Sequence, residues 1–552
     1  MTRRRLIVLA AATPVILAGT FLAVQGLRAK AELDAVTRLA GPVEQAIRDG
    51  QDPDLRPLRQ HAHAAVGHTD GWLWGAAEHV PFFGDDLQAV RRSAGAVDGL
   101  TRDALPPLES ALQTLRGDSV LVDGRVDLGV LARVHGQVRS ARPAVAAAHR
   151  EVSGLHAHFV DGRLSDLQRR VGRLDDAMAQ ADDAMAQAPA LLGAGADRRY
   201  LVVVQNNAEA RATGGLIGAV GELSARDGRL ELVRTLTDDQ LHSARRPVPD
   251  DPAASRTWVT IGSTLAWFDT NLTPHVPDAA RNVAGLWQAQ TGQRVDGVVF
   301  VDAVSLQHLM RAPVALPGGG SVAPADVVDF ICRREYVDYP DNNERKQLLR
   351  VLAGTIVKRA TSGGDLDPLA DAARSGHLLA WFARPAEQRL VTGRLVGGTL
   401  PVDGSAYLQV LTQDFAGNKL DYYLHRKVLV RREGDGLRVT VELRNEAPDG
   451  LPAYMALRSD RPVPPVPYGQ DRVGMSLYGG KGARFEQPTL DGHPAQGMQV
   501  DVDHGLGFAT IELEVPRDRP VVFSVLLKGP GGLLTYRQQP LVRPDDLELG
   551  LD

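Results

Sequence analysis

Residues 200–221, YLVVVQNNAEARATGGLIGAVG, decide the centre of the predicted fold. Residues 200–204 form an uninterrupted apolar run bounded by turn residues, which is typical of a buried strand. Two further apolar segments, 216–223 and 230–236, flank the turn Ala225-Arg-Asp-Gly228 and predict a hairpin. The stretch therefore predicts a buried strand that leads into a hairpin.

Helical and strand patterns alternate beyond this hairpin. The predicted helices lie at 277–290, at 303–310 and from about Pro324, through the Pro340 region, to Arg359. The predicted strands lie at 297–301, 378–382 and 406–411. We therefore predict a central α/β or α+β domain over residues 195–424.

The helical period disappears after this domain. Segments 427–431 and 437–443 alternate in polarity around Glu433-Gly-Asp-Gly436, and Pro and Gly turns separate the later strand-like runs. Residues 425–552 are therefore predicted to form a β-sandwich domain, of which an immunoglobulin-like fold is one form.

Residues 29–190 have the opposite character, because they are rich in Ala and poor in β-branched runs. The segment DDAMAQA occurs twice in tandem, at 175–181 and 182–188. Apolar residues at alternating spacings of three and four form a coiled-coil seam, namely Leu164, Leu167, Val171, Leu174, Met178, Ala181 and Met185. We predict a helical stalk or bundle.

The N-terminus has the sequence features of a membrane-spanning segment. Arg3, Arg4 and Arg5 precede the uncharged run 6–27, and a helix of that length spans a bilayer of about 30 Å. We predict that residues 1–28 form a cytoplasmic tip and a single transmembrane anchor in a bacterial plasma membrane, with the bulk of the chain extracytoplasmic. A cleaved signal peptide is the alternative, because Ala29-Lys30-Ala31 resembles a cleavage site.

Composition excludes several classes of function. The 552 residues carry a net charge of −5, and Arg residues are interspersed with Asp and Glu, so no nucleic-acid footprint is present. The single cysteine, Cys332, excludes an intramolecular disulfide and a multi-cysteine metal site. Phosphate-loop, HExxH, GxSxG and EF-hand motifs are absent from the sequence. The catalytic residues, if there are any, therefore stay unknown, and we predict no metal site and no cofactor.

Polar residues follow the buried strand at 200–204. They are Gln205, Asn206, Asn207, Glu209 and Arg211. The carboxyl end of a strand in an α/β sheet is a common place for ligands, so these side chains are candidates for a binding site. The alternative is a polar turn that ties two strands together.

A second candidate cluster lies near the predicted long helix. It contains Arg333, Arg334, Arg345 and Lys346, which could hold a phosphate or a carboxylate. The alternative is that these charged side chains lie on a solvent-exposed helix face and bind no ligand. If the two clusters converge on one pocket, the binding-site hypothesis is favoured over these structural alternatives.

Four blocks of sequence resemble the bacterial domain of unknown function 4012 family. They are QNNAEARATGG at 205–215, VDGVVFVDAVSL at 295–306, PADVVDFICRREYVDYPDNNERK at 324–346 and AGNKLDYYL at 416–424. The resemblance runs from about Trp72 to the C-terminus. It implies a single-pass membrane protein and supplies no mechanism.

A weaker likeness, in motif order, is to the LytR-CpsA-Psr family, which transfers glycopolymers from polyprenyl pyrophosphate lipids. The likeness implies pyrophosphate-gripping roles for Arg211, for Arg333 or Arg334, and for Arg345 with Lys346-Gln347. Arg211 is followed by Ala-Thr-Gly-Gly, so the aspartate that supplies that family's magnesium ligand is not matched.

Two functional hypotheses follow from these resemblances. The first is an envelope protein that binds or transfers a phosphorylated, lipid-linked glycopolymer, with the plasma membrane, a polyprenyl-phosphate lipid or a cell-wall glycopolymer as partners. The second is a non-catalytic envelope scaffold.

Overall fold

The computed structural model describes residues 3–48, 51, 53–117, 120–122, 124–362, 367–529 and 531–551. Within these ranges the description leaves out the side chains of 3–17, 44, 47, 48, 116, 117, 357 and 359–362. The chain divides into two compact units. The helical unit contains Met1–Val120 and Asp127–Ala188, and the mixed unit contains Leu121–Val126 and Pro189–Asp552.

Seven helices make up the described part of the helical unit. They are α1 (Arg3–Arg48), α2 (Arg56–Thr69), α3 (Trp72–Ala77), α4 (Gly84–Gly99), α5 (Leu105–Gly117), α6 (Leu128–Ser153) and α7 (Asp161–Leu191). The side chain of Asp127 caps α6 by accepting the N–H groups of Gly129 and Val130. Apolar residues of α4, α6 and α7 share one core, which includes Ala89, Val152 and Val171.

The predicted seam of α7 is only partly buried. Leu164, Val171 and Met178 are buried at seven-residue intervals. Leu174 lies between them in the predicted pattern, but 37 % of its surface is exposed. The repeat therefore marks one buried stripe of α7.

The predicted transmembrane helix is corrected by the structure. Among the described residues, no helix is both long enough and apolar enough to cross a membrane. The described part of α1 instead makes contacts within the protein, because Gln25 hydrogen-bonds to His68 of α2 and Ala29 is fully buried. Part of the predicted anchor 6–27 lies outside the described side chains. The fold class becomes a multidomain α+β protein.

A seven-stranded sheet forms the first half of the mixed unit. Its strands are β1 (Leu121–Val122), β2 (Arg125–Val126), β3 (Arg198–Arg211), β4 (Gly214–Arg226), β5 (Arg229–Thr237), β6 (Gly297–Asp302) and, later in the chain, β9 (Leu378–Phe382). Their order is β1-β2-β5-β4-β3-β6-β9, and β3 and β6 are parallel. The predicted buried strand and hairpin are confirmed as β3, β4 and β5. The short hairpin β7 (Val314–Ala315) and β8 (Ser321–Val322) forms a separate sheet.

β3 is longer than the sequence pattern predicts. Its pairing with β4 is irregular at Val204/Gln205 and between Asn206 and Ala210. Bulges of this kind redirect side chains, so the polar residues after Val204 do not simply alternate between the two faces. Residues 205–211, for which a polar turn was the alternative interpretation, therefore form a bulged strand.

Helices cover both faces of this sheet. The helices of the mixed unit are α8 (Arg256–Ile261), α9 (Val276–Thr291), α10 (Ala303–Leu309), α11 (Val327–Asp329), α12 (Glu335–Asp338), α13 (Asn342–Ser362), α14 (Asp367–Arg374), α15 (Pro385–Gln388) and α16 (Ala453–Ala456). Leu201 and Val203 share a core with α9, whereas Val202 shares a core with α10 and α13. The two-residue period of β3 therefore separates the two cores.

The predicted long helix is broken at Pro340. A π-helical turn at Phe330–Arg334 leads into α12, which ends at Asp338, and α13 begins at Asn342. Pro340 disfavours helical backbone at the preceding residue, and Tyr339 accordingly has φ −127° and ψ 86°. The break lets α12 and α13 approach one site from different directions.

Two sheets pack face to face in the second half of the mixed unit. Their strands are β10 (Tyr407–Asp414), β11 (Leu424–Glu433), β12 (Gly436–Asn445), β13 (Asp471–Lys481), β14 (Arg484–Leu490), β15 (His493–Pro494), β16 (Gln499–Asp503), β17 (Leu506–Val515), β18 (Val521–Lys528), β19 (Thr535–Arg537) and β20 (Asp546–Gly550). The sheet orders are β16-β17-β13-β10-β19 and β15-β14-β18-β12-β11-β20. Val441, Met475 and Phe523 belong to their common core. β10 was expected in the central domain, but it pairs with β13 and β19.

Candidate functional site

Polar side chains from separate segments of the mixed unit line one cleft. The cleft has a volume of about 90 Å³. Its polar and aromatic lining consists of Gln205, Asn206, Glu209, Thr237, Asp238, Glu335, Tyr336, Asn342, Arg345, Lys346, Lys419 and Tyr454. Its apolar wall includes Leu216, Leu306, Ile331, Leu349 and Leu352. An apolar cleft with a few convergent polar groups is the usual form of a ligand site.

Asn206 joins the two candidate clusters directly. Its Nδ2 donates to the Tyr336 hydroxyl at 2.6 Å and to the Ile331 carbonyl at 3.4 Å. Its Oδ1 accepts the N–H of Ala208 at 2.9 Å, which fixes the side chain within the bulge of β3. The strand and the broken helix therefore meet at one place.

Two tyrosines and two cations of the cleft lining pack against one another. The rings of Tyr336 and Tyr454 stack with their centroids 5.7 Å apart. The Arg345 guanidinium lies 4.6 Å from the Tyr454 centroid, and Lys419 Nζ lies 4.9 Å from it. Both distances allow cation–π attraction, which is stronger when the groups are shielded from water.

Lys419 is buried and paired with Glu209. Burial disfavours its ammonium form, but the carboxylate of Glu209 outweighs burial and raises the pKa of Lys419. Lys346 lies higher in the cleft, 3.0 Å from Asp238 and 3.3 Å from Asp239. Both lysines are therefore held as cations.

Glu335 is the unusual group in this cleft. Its side chain is fully buried, and neither carboxylate oxygen has a hydrogen bond of normal geometry to a described residue. Burial raises its pKa to about 8, although the Tyr336 hydroxyl and the charges of Arg345 and Lys419 oppose the shift. A pKa of about 8 keeps Glu335 mostly protonated at pH 7.

Arg211, a predicted phosphate ligand, does not reach the cleft. Its guanidinium donates to the carbonyls of Phe268 at 3.1 Å, Ala210 at 3.0 Å and Asp414 at 2.8 Å. These bonds connect β3 to a loop and to β10. Arg211 therefore has a structural role, because its hydrogen bonds hold these segments together.

Three other predicted site residues also have partners outside the cleft. Arg333 pairs with Asp329 at 2.6 Å, and Arg334 pairs with Asp338 at 3.3 Å. The Nδ2 of Asn207 donates to Asp302 at 2.9 Å. Of the predicted residues, the structure brings together Gln205, Asn206, Glu209, Arg345 and Lys346.

The region that matches a known protein family begins two residues before β3. Residues 196–336 match the family model described as a protein of unknown function (DUF4012). No curated protein and no solved structure matches the chain. The likeness to the LytR-CpsA-Psr family therefore has no support from these comparisons. The DUF4012 region supplies Asn206, Glu209, Glu335 and Tyr336 to the cleft.

The residues beyond the DUF4012 region complete the cleft. Arg345 was predicted from its charge, whereas Lys419 and Tyr454 were not proposed as site residues. Lys419 stands in the block AGNKLDYYL, where a lone lysine among apolar and aromatic residues was the available signal. Tyr454 lies on the four-residue helix α16, and its position carried no signal.

A second titratable cluster combines two residues of the DUF4012 region with one residue beyond it. Ligand atoms of His275, Asp278 and His504 lie within 4.8 Å of one another. The Nδ1 of His275 accepts the N–H of Leu400 at 3.1 Å, and its ring stacks on that of His504 with centroids 3.9 Å apart. Stacked rings direct their in-plane lone pairs side by side, not toward one ion. The geometry therefore favours an ion pair of His504 with Asp278, at 2.7 Å, over a metal site.

Proposed function

We propose that this protein binds the phosphorylated head group of a lipid in the cleft formed by β3, α12 and α13. The observation that carries the proposal is the convergence of Arg345, Lys346 and Lys419 beside an apolar wall. Arg345 makes three hydrogen bonds to described residues, so two of its five N–H groups remain for a ligand.

The charge of the lining supports a singly or doubly charged anion. Three cations line the cleft together with Glu209 and Asp238, while Glu335, with a pKa of about 8, is mostly protonated at pH 7. The lining therefore carries a small positive excess. A neutral Glu335 can also donate its proton in a hydrogen bond to a phosphate oxygen.

The size and polarity of the cleft limit what can enter. Its volume is about 90 Å³, and one water molecule needs about 10–15 Å³ of such space, so the cleft can hold several water molecules. A phosphate-sized group fits this space, and a polymer would have to lie outside it. The apolar wall gives the first carbons of a lipid chain a favourable surface.

Only some of the positions expected from the LytR-CpsA-Psr likeness lie in the cleft, so the proposal rests on the geometry of the cleft itself. Of the positions matched by that likeness, Arg345 and Lys346 line the cleft, whereas Arg211, Arg333 and Arg334 have protein partners. The proposal is therefore binding, and transfer of the lipid-linked group is not part of it.

Titration calorimetry of the full-length protein tests the proposal. The probes are polyprenyl phosphate, the neutral polyprenol and inorganic phosphate. We expect binding of polyprenyl phosphate, weak binding of inorganic phosphate and none of polyprenol. In Lys346→Met, the dissociation constant for polyprenyl phosphate should rise at least about tenfold, because a charge-assisted contact is lost.

Arg334→Met is the matched control, since Arg334 is a predicted site residue that lies outside the cleft. Its affinity should stay at the wild-type level. Equal losses in the two variants would remove the cleft as the binding site. Failure of the wild-type protein to bind any of the probes would leave the non-catalytic scaffold as the better hypothesis.

A further inference from the structure

One end of the helical unit displays large apolar side chains to solvent. Trp72 is 84 % exposed, Phe82 85 % and Phe159 72 %, while Val80 and Phe83 are about half exposed. These five residues are called the aromatic tip. They come from the start of α3, the α3–α4 loop and the α6–α7 loop. Aromatic side chains exposed to this degree usually belong to a binding surface.

The two loops of the aromatic tip are fixed to each other. Asp86, a buried residue of α4, accepts three backbone N–H groups with one carboxylate oxygen, at 3.1, 2.8 and 3.1 Å. The donors are His158, Phe159 and Val160. The ring of Phe159 is thereby placed against that of Phe83, and the two rings stack with centroids 5.6 Å apart. The protein thus uses a buried carboxylate to hold exposed rings in position.

The remaining rings are also held by the fold. Phe82 has a φ of 73°, a left-handed conformation that residues other than glycine rarely adopt. Trp74, two residues after Trp72, is buried, and its Nε1 donates to the Leu87 carbonyl at 3.2 Å. The exposed rings therefore extend from anchored backbone.

We infer that the aromatic tip inserts into the interfacial layer of a lipid bilayer. Rings with so little protein around them protrude from the surface, and a deformable lipid layer can surround a protruding ring. A protein partner would need a matching set of pockets. Trp and Phe are also the residue types that favour the boundary between lipid head groups and acyl chains.

Helix α1 also exposes apolar side chains. A Cβ placed on Gly26 of α1 would lie 3.6 Å from the ring of the buried Trp74, so α1 packs against α3 at this residue. Phe21, Val24 and Leu27 lie within about a turn and a half of Gly26, and all three are substantially exposed. The helical unit therefore has a second group of exposed apolar side chains, on α1.

Tryptophan quenching by brominated lipid tests this inference on the full-length protein. The chain has six tryptophans; Trp72 is largely exposed, Trp381 of the mixed unit is partly exposed, and Trp74, Trp258, Trp267 and Trp287 are buried. The protein is mixed with phosphatidylcholine vesicles whose acyl chains are plain or brominated. We expect brominated vesicles to quench part of the emission. Trp72→Phe keeps an apolar ring but removes the reporter, so the quenching should disappear while vesicle binding persists.

A triple variant measures the contribution of the other rings. Replacement of Phe82, Phe83 and Phe159 by Ser should raise the vesicle concentration for half-maximal binding at least about tenfold, because apolar area leaves the bilayer. Leu533→Ser, at an exposed apolar position of the mixed unit, is the control and should bind as the wild type does. Undiminished quenching in Trp72→Phe would contradict the inference. Concentration-dependent dimerisation that the triple variant abolishes, without quenching by lipid, would show that a second copy covers the tip.

Discussion

Replacement of Glu335 by glutamine is expected to stabilise the mixed unit, and the gain is expected to grow with pH. Burial raises the pKa of Glu335 from 4.5 in the unfolded chain to about 8. The folded state therefore holds a proton that the unfolded state releases. A group with a raised pKa contributes its full stability below pH 4.5 and loses it as the pH rises through 8. Glutamine keeps the shape of the neutral acid and cannot ionise.

The magnitude follows from the size of the pKa shift. Each pH unit between the two pKa values changes the free energy of unfolding by about 1.4 kcal/mol. The wild-type protein should therefore lose about 3 kcal/mol relative to Glu335→Gln between pH 4.5 and pH 7. Little further change is expected above pH 8, where Glu335 ionises in the folded state as well.

Denaturant unfolding of the full-length protein measures this difference. Trp258, Trp267, Trp287 and Trp381 lie in the mixed unit, so their emission follows the unfolding of that unit. Midpoints for wild type and Glu335→Gln should coincide near pH 4.5 and separate steadily toward pH 8.

Glu344→Gln is the matched control for this experiment. Glu344 is exposed on the first turn of α13, and its replacement should not alter the pH profile. If Glu335 were instead an ionised partner of the cleft cations, glutamine would lower stability at neutral pH. That result, or a difference between variant and wild type that does not change with pH, would refute the reasoning.

Three further substitutions test the role of Arg211 and the predicted seam of α7. Arg211→Ala should lower the free energy of unfolding by roughly 3 kcal/mol, because buried carbonyls such as that of Asp414 lose a charged donor. A variant as stable as the wild type would show that these hydrogen bonds of Arg211 do not stabilise the fold. Val171→Asp should destabilise the helical unit by about 3 kcal/mol, and Leu174→Asp by less than about 1 kcal/mol, because only Val171 is buried. Equal shifts in thermal unfolding would show that both positions of the predicted seam are packed.

Local sequence patterns predicted the elements well where the pattern concerns burial alone. The run 200–204 became the core of β3, and Leu201 and Val202 face opposite cores as a two-residue period requires. The turn Ala225-Arg-Asp-Gly228 joins β4 and β5 as predicted. The predicted helices at 277–290 and 303–310 are α9 and α10.

Pairing between distant segments was harder to predict. β10 is buried throughout, and its apolar run suits a central strand of either sheet, so the pattern could not show that it pairs with β13. The uncharged run at the N-terminus predicted a membrane span from length and polarity. Those two properties do not reveal contacts such as that of Gln25 with His68.

The candidate site shows most clearly what each level of structure determines. By itself, the sequence determined that polar groups follow the apolar run 200–204 and that cations cluster near Pro340. It also showed a resemblance to the DUF4012 family, which the family model supports over residues 196–336. Only the tertiary structure decided that Asn206 meets Tyr336 and that Arg211 turns to Asp414 instead. The physical reason is that periodicity encodes which face of a strand is buried, whereas a bulge and a broken helix decide which distant groups that face meets.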